Sequence, residues 1–313
     1  MTPNFNDNNC KFEDIIEIAD LLKINRIEMH KKMLKLLRQS FDSDCEESKQ
    51  KLMEIIEYAV SSKGKYYRSF FVNILGESLG INRARTSFIG AIIEMLHNCI
   101  LMQSATPYIE NNDYRYEQES CHKKFGTDKT IIASNALITL IIEIITSSES
   151  VKFSNDIRCE LIKIIAKYNG KDGVSSGQMM KLMLKKKRKR SQDEDTRIKK
   201  LRINSLFNAG AECLELLSKT TDEQNLAIKN YINNFCNLMN IYEEIEKKDY
   251  KSYNELLKRA SLLTSQGCTS ILKIPNNRKL ILFIKYNYFC LKKFVDYNNS
   301  TRPVIVDSDI VTI

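Results

Sequence analysis

The sequence predicts an all-α protein, and three features of the chain support that fold class. Only 10 glycines and 4 prolines occur among its 313 residues, so strong turn signals are few. Long segments repeat their apolar residues with a helical period, and no strand-type alternation persists. Hydrophobic residues make up 43% and charged residues 28%, an ordinary globular composition that argues against global disorder. We therefore expect a bundle of long helices.

The apolar periodicity places these helices in order along the chain. They cover about residues 12–40, 48–60, 68–80, 86–103, 129–147, 154–168, 173–184, 196–218, 222–247, 252–264 and 278–296. The most apolar run, IIASNALITLIIEII, is interrupted by Asn and Ser and bounded by charge, which favours a buried core helix over a membrane span. The charged residues 185–200 predict a surface loop, and the β-branched residues 301–313 predict a C-terminal tail.

Charge and cysteine content narrow the cellular context. The net charge of +9 suits an anionic partner, which could be nucleic acid, a membrane surface or a phosphorylated small molecule. Nine cysteines form no C-x-x-C pair, and several lie inside apolar helical patterns, so we expect reduced core thiols. The first residues are polar and acidic and lack a signal-peptide core. We therefore expect an intracellular protein, in the cytoplasm.

The basic run KKKRKR at residues 185–190 has three possible interpretations. It could be a solvated loop, a nuclear-localisation patch, or a contact for nucleic acid or an anionic membrane. The following SQDEDT partly neutralises it. Only charge favours nucleic acid, so that partner is not expected, and the nuclear alternative stays open.

One region carries a recognisable pattern. Nine residues between positions 94 and 126 have the order and spacing of a family motif: Glu94, His97, Leu101, Pro107, Asp113, Arg115, His122, Phe125 and Gly126. The region resembles the first aspartate-rich region of the trans-isoprenyl diphosphate synthases, or polyprenyl synthetases. Residues 61–80, 177–182 and 235–249 resemble, in the same order, the family's GGKxRP segment, its GQxxDL segment and its second aspartate-rich motif. The resemblance implies an isoprenoid synthase fold, a single helical domain over residues 1–300 around a central cavity.

The resemblance also implies a metal site, which this sequence has largely lost. In the family, carboxylates from two facing helices hold Mg²⁺, which neutralises the leaving diphosphate of an allylic substrate. Family carboxylate positions are here occupied by Ser104, Ala105, Lys181 and Lys247. The carboxylates that could still bind a metal are Glu110, Asp113, Glu243 and Glu244. Because Ala105 has no ligand atom and Lys247 would repel a cation, we predict impaired catalysis. We expect no cofactor, with Mg²⁺ only if residual activity exists.

The anion-binding half of the site is better preserved. By resemblance, Lys65, Arg68 and His97 correspond to contacts of isopentenyl diphosphate, and a fourth contact is replaced by Tyr116. Arg115 and Arg202 correspond to contacts of the allylic diphosphate, and an arginine can hold a phosphate in place of lysine. His97 could instead be a structural helical histidine. We therefore predict a pocket that binds a diphosphate without metal.

Two functions follow from these residues. The first is a polyprenyl synthetase-like protein of impaired catalysis, a regulatory or scaffold subunit in a homo- or heterodimer with an isoprenyl diphosphate synthase-type chain. The second is a divergent active prenyltransferase or terpene-synthase-like enzyme that uses Glu110, Asp113, Glu243 and Glu244 with Mg²⁺. The sequence leaves the product length and the partner open.

Overall fold

The computed structural model describes residues 11–41, 46–115, 118–186, 191–246 and 253–299, which are almost entirely helical. The chain divides into two compact units. The larger unit is Leu22–Lys219, and the smaller unit joins Met1–Leu21 to Thr220–Ile313. One of the two boundaries along the chain falls inside the first helix. A single domain over residues 1–300 stays a prediction.

The helices of the larger unit follow the apolar periodicity of the sequence. They are the second part of α1 (Phe12–Gln39), then α2 (Glu47–Val60), α3 (Tyr67–Ser78), α4 (Arg83–Ser104), α5 (Cys121–Phe125), α6 (Thr127–Ser147), α7 (Asn155–Asn169), α8 (Val174–Met183), α9 (Gln192–Lys199) and α10 (Ser205–Leu217). A 3₁₀ turn, Leu184–Lys186, follows α8, and a π-helical turn, Lys200–Asn204, joins α9 to α10. Each helix predicted in this part of the chain is present.

Helix α4 lies at the centre of the larger unit and packs against α2, α3, α6 and α10. Its N-terminus is capped by Asn82, whose side-chain oxygen accepts a hydrogen bond from the Ala84 amide at 2.8 Å. Ile93, Leu96 and Cys99 are wholly buried along it, and burying one aliphatic side chain of this size contributes about 2 kcal/mol. The predicted site residues of α4 therefore stand on a rigid core element.

Helix α6 contains the most apolar run of the sequence. One face of it is buried, including Leu137, Ile141 and Ile144, while Ile131 and Ile132 are 43% and 63% exposed. By length and composition alone this helix could cross a membrane. The core helix of a globular protein meets the same criterion, and the buried face agrees with the predicted core helix.

Two local features differ from the sequence-based predictions. A short antiparallel pair, β1 (Tyr114–Arg115) and β2 (Gln118–Glu119), was not predicted, because two-residue strands are too short to show an alternation. The surface loop predicted over residues 185–200 is wrong for its second half, which forms α9. A capping box starts that helix: the Ser191 hydroxyl accepts from the Glu194 amide while the Glu194 carboxylate accepts from the Ser191 amide.

The smaller unit contains the start of α1 and three later helices, α11 (Asp222–Glu246), α12 (Tyr253–Ser270) and α13 (Arg278–Asn299). These three helices pack on one another. A Cβ at Gly267 of α12 would lie 2.4 Å from Ile284 Cδ1, so glycine permits the close approach of α13. The C-terminal residues 301–313 lie outside the described part of the chain, so the predicted tail stays a prediction.

Seven cysteines lie in the described part of the chain, and none of these seven forms a disulfide. Six are buried, and only Cys159 among them is exposed. Burial raises the pKa of the Cys99 thiol to about 12 and that of Cys121 to about 11. The six buried cysteines therefore act as small apolar core residues, as predicted.

Candidate functional site

The predicted anion-binding residues of the larger unit begin at the start of α3. Tyr66, which precedes the helix, has a left-handed backbone with φ of 54°, an uncommon conformation for a bulky residue. Its ring is buried, and its hydroxyl donates to the Val60 carbonyl at 3.2 Å. This turn precedes Arg68, whose guanidinium lies 5.4 Å from the centre of the Phe207 ring. Lys65 lies three residues earlier, with its ammonium 5.7 Å from the Tyr67 ring centre.

Helix α4 brings a histidine to this arginine. His97 is half-buried, and its pKa lies well below the usual value because burial disfavours the charged ring and because Arg68 and Arg115 repel it. The ring is therefore neutral at pH 7. We call Arg68, His97 and Arg115 the arginine cluster.

A buried carboxyl group on α4, that of Glu94, holds the residues next to Arg68 in place. Glu94, three residues before His97 on α4, accepts a hydrogen bond from the Ser69 amide at 2.9 Å. Burial raises the pKa of Glu94, and the charge of Arg68 partly offsets that rise. Glu94 thereby fixes the start of α3, and with it Arg68, against α4.

Arg115 reaches the cluster from the β1–β2 pair. It sits in β1, paired with Gln118 of β2, and it lines a small cavity together with Ser62, Asn98 and Ala105. Tyr116, at a lost family position, lies outside the described residues. The short hairpin, which the sequence did not predict, is thus the element that positions Arg115.

At the end of α4, the predicted metal positions carry side chains that are poor ligands for a metal ion. Ser104 is buried, and its hydroxyl donates to the Leu101 carbonyl at 3.4 Å. Ala105 caps the helix through its backbone and offers no side-chain oxygen. Neither residue can replace a carboxylate that binds Mg²⁺.

Asp113, a predicted metal ligand, contributes to the structure of its own loop. Its Oδ1 lies 3.2 Å from His122 Nε2, and its Oδ2 lies 3.4 Å from Lys123 Nζ. These hydrogen bonds, to His122 first and then to Lys123, lower the pKa of Asp113. The arrangement gives His122 a structural role in this loop.

Glu110 is bound by two cations of its own chain. Its Oε1 lies 2.5 Å from Lys181 Nζ and 2.7 Å from Arg202 Nη2. Burial opposes ionisation of Glu110, but Lys181 and then Arg202 outweigh it and hold the pKa of Glu110 below its usual value. We call Glu110, Lys181 and Arg202 the Glu110 triad. Arg202 is a predicted anion contact and Lys181 a lost carboxylate position, and their shared partner was not predicted.

A glycine and a π-helical turn bring the two cations of the triad together. Arg202 lies in the π-helical turn Lys200–Asn204, a geometry found often at functional sites. A Cβ at Gly177 of α8 would lie 2.7 Å from Leu201 Cβ and 2.9 Å from Arg202 Cγ. Only glycine therefore allows α8 to pack so closely on this turn. Lys181 follows Gly177 by one helical turn and shares its face.

The predicted carboxylates of the smaller unit lie at the end of α11. Glu244 makes two hydrogen bonds to Arg259 Nη2, at 2.7 and 2.8 Å. The side chain of Glu243 and the whole of Lys247 lie outside the described part of the chain. The metal roles predicted for Glu243 and Glu244 stay predictions.

The residues present do not fit the Mg²⁺ site that the family implies. Ala105 has no ligand atom, the Ser104 hydroxyl donates within its own helix, and Glu110 is neutralised by Lys181. Among the described side chains, no group of three or more His, Cys, Asp or Glu residues could hold a metal ion. A hard cation requires several oxygen ligands, so no catalytic step is assigned to Mg²⁺ here.

The basic run at 185–190 is described only at its start. Lys185 donates to the Ile109 carbonyl at 3.3 Å, close in sequence to Glu110. Residues 187–190 lie outside the described part of the chain. The three interpretations of the run stay open on structural grounds.

The sequence is similar to that of known synthases. Residues 49–255 match the family model described as polyprenyl synthetase. The farnesyl diphosphate synthase of Micrococcus luteus is 28% identical over 155 residues, which cover 50% of this chain and 52% of that protein. The farnesyl diphosphate synthase of Haemophilus influenzae is 30% identical over 132 residues, 42% of this chain and 44% of that protein. The matched stretch thus spans about half the length of these relatives, and neither gives support to nuclear import.

The fold of this chain matches solved structures over almost the whole length of those structures. An FPP/GFPP synthase from Zymomonas mobilis matches with a TM-score of 0.77 and 21% identity, over 86% of this chain and 99% of that one. A geranyltransferase from Legionella pneumophila matches with a TM-score of 0.80 and 17% identity, over 89% and 99%. At these identities the likeness establishes the fold alone, and it confirms the predicted all-α isoprenoid synthase fold. Together with the match over residues 49–255, these findings place the chain in the polyprenyl synthetase family.

Proposed function

We propose that this chain binds isoprenyl diphosphates through the arginine cluster and that its prenyltransferase catalysis is impaired. The names of its relatives support the ligand class, since they are synthases of farnesyl diphosphate. Arg68 and Arg115 both act on the charge of His97, so each lies in the neighbourhood of that ring. Arginine pairs of this kind bind phosphate oxygens with charge-assisted hydrogen bonds.

The single observation that carries the loss of catalysis is the pairing of Glu110 with Lys181 at 2.5 Å. The ammonium group of Lys181 neutralises Glu110, one of the carboxylates that remain in the first motif. It also repels any divalent cation that approaches. Ser104 and Ala105 supply no compensating negative charge.

The alternative is an active, divergent prenyltransferase, and the comparisons favour it over the first proposal. Each relative and solved structure named above is a synthase or a transferase, and none of them indicates a loss of activity. The carboxylates available to such an enzyme are Glu110, Asp113, Glu243 and Glu244. Glu110 would first have to leave Lys181 and Arg202.

A product assay separates the two proposals. Purified protein is incubated with isopentenyl diphosphate, each allylic diphosphate and Mg²⁺ or Mn²⁺, and prenyl products are extracted. Turnover of roughly 0.1 per second or more lies within a hundredfold of typical enzyme rates and would establish the active alternative. Binding of farnesyl diphosphate by calorimetry without turnover supports the first proposal, and Arg115→Met should weaken that binding about tenfold. Lys163→Met, on the exposed surface of α7, is the control of equal charge.

The proposed protein works as a homo- or heterodimer inside the cell, with a second chain of the synthase type. The exposed face of α6 supports this assembly, because Ile131, Ile132 and Ile142 are 43%, 63% and 40% exposed. Light scattering after size exclusion tests it. We expect the wild-type chain to be a dimer and the Ile132→Glu variant to be a monomer. A wild-type chain that is monomeric and also does not bind a synthase partner would refute this assembly.

A further inference from the structure

The Glu110 triad places two cations around one oxygen atom. Lys181 Nζ and Arg202 Nη2 each lie within 2.7 Å of Glu110 Oε1, so both can contact a single phosphate group placed there. The formal charge of the three side chains is positive, because one carboxylate faces two cations. The triad therefore has the size and the charge to hold an anion in place of the carboxylate.

The triad is open to solvent, so an anion can reach it. The side chains of Lys181, Arg202 and Glu110 are 33%, 26% and 21% exposed. A diphosphate carries more negative charge than one carboxylate and offers more acceptor oxygens, so it satisfies the ammonium and the guanidinium together more fully. Glu110 is then free to turn to water, where its charge is solvated.

The backbone around the triad is built for this close approach. Gly177 lets α8 lie against the π-helical turn that carries Arg202, and Lys181 lies one turn further along the same face of α8. Where the family has a carboxylate that binds metal, this chain therefore presents an ammonium group beside a phosphate-binding arginine. The substitution changes the ligand that the position can bind from a cation to an anion.

We propose that Lys181 and Arg202 form a metal-independent diphosphate site and that Glu110 is an internal competitor, which the incoming diphosphate displaces. This inference rests on the proposed binding of diphosphates and adds the group that replaces the metal. Lys181 binds the diphosphate directly, and no covalent bond is formed or broken.

The test is titration of the full chain with inorganic pyrophosphate in excess EDTA, followed by calorimetry. Removing the competitor in Glu110→Gln should tighten binding about tenfold, and Lys181→Met should weaken it about tenfold. Lys181→Arg should keep most of the affinity, because it conserves the charge. Lys163→Met is the control, expected to stay within about twofold of the wild type. Circular dichroism of each variant verifies the fold. If Glu110→Gln folds poorly, Lys181→Met still tests the inference, because that variant keeps the pair between Glu110 and Arg202.

The outcomes separate this inference from the proposed function. If farnesyl diphosphate binds in an Arg115-dependent way while Glu110→Gln and Lys181→Met leave pyrophosphate affinity unchanged, the proposed function stands and this inference fails. If pyrophosphate binds only when Mg²⁺ is added, the inference also fails. If no variant binds either ligand, both fail. Binding by Glu110→Gln that is stronger than that of the wild type, without metal, supports the inference.

Discussion

The arginine cluster and the Glu110 triad lie in the same unit, yet they differ in what holds their charges. In the arginine cluster, Arg68 and Arg115 lie near a histidine that remains neutral, and Arg68 also acts on the buried Glu94. In the Glu110 triad, a carboxylate of the chain already takes up part of the charge of Lys181 and Arg202. Helix α4 carries both the half-buried His97 and the buried Ser104, so one helix supports the predicted anion-binding residues and the predicted metal positions.

The largest expected effect on the unfolding free energy comes from a substitution that disrupts the Glu110 triad and leaves the arginine cluster unchanged. Gly177→Val places side-chain atoms against Leu201 and Arg202, and overpacking of this kind costs about 2–3 kcal/mol of unfolding free energy. Met179→Val, on the exposed side of α8, controls for the lower helix propensity of a β-branched residue. Urea denaturation measures both variants. Equal stability of the two variants would contradict the close packing of α8 on the π-helical turn.

The second prediction rebuilds the metal half. Ser104→Asp, Ala105→Asp and Lys181→Asp together return carboxylates to three positions near Glu110. Mg²⁺ at ten times its dissociation constant should then raise the unfolding free energy by about 1.4 kcal/mol. The matching triple asparagine variant has the same size without the charge. A similar response of both variants to Mg²⁺ would show that the substituted positions do not form a metal site.

The third prediction concerns the neutral histidine of the arginine cluster. Because the folded pKa of His97 lies below its unfolded value, the unfolded chain binds a proton first as the pH falls through about 6.5. The folded state should therefore lose about 1 kcal/mol between pH 7 and pH 5.5 through this residue. His97→Gln should remove that part of the pH dependence, and His30→Gln serves as the control. An unchanged slope in His97→Gln would mean that the folded chain does not lower the pKa of His97.

The smallest expected effect extends the comparison to the smaller unit. Arg259 and Glu244 are 48% and 28% exposed, so water screens their pair more than it screens the triad. Arg259→Met should cost about 0.5 kcal/mol, a loss that shrinks at high salt. Lys258→Met, its neighbour, is the control. A cost above about 2 kcal/mol would mean that Glu244 is held as firmly as Glu110.

The sequence was informative wherever a pattern extended over many residues. Long apolar periodicity predicted the helices, including α4 and α6, because burial of one face repeats every turn. It missed the β1–β2 pair, whose strands are shorter than one alternation. It also missed the first half of α9, although Ser191 and Glu194 had the spacing of a capping box, because the charge of residues 185–200 suggested a loop.

The sequence by itself determined which residue types stand at the positions that the resemblance implies for the site: a serine, an alanine and a lysine at predicted metal positions, and arginines at predicted phosphate positions. Only the tertiary structure decided what these residues do to one another. Glu110 is 71 residues from Lys181 and 92 from Arg202 in the chain, and no local pattern links them. Packing of α8 on the π-helical turn brings them together, and electrostatic attraction at 2.5–2.7 Å then turns a remnant carboxylate into the partner of two cations.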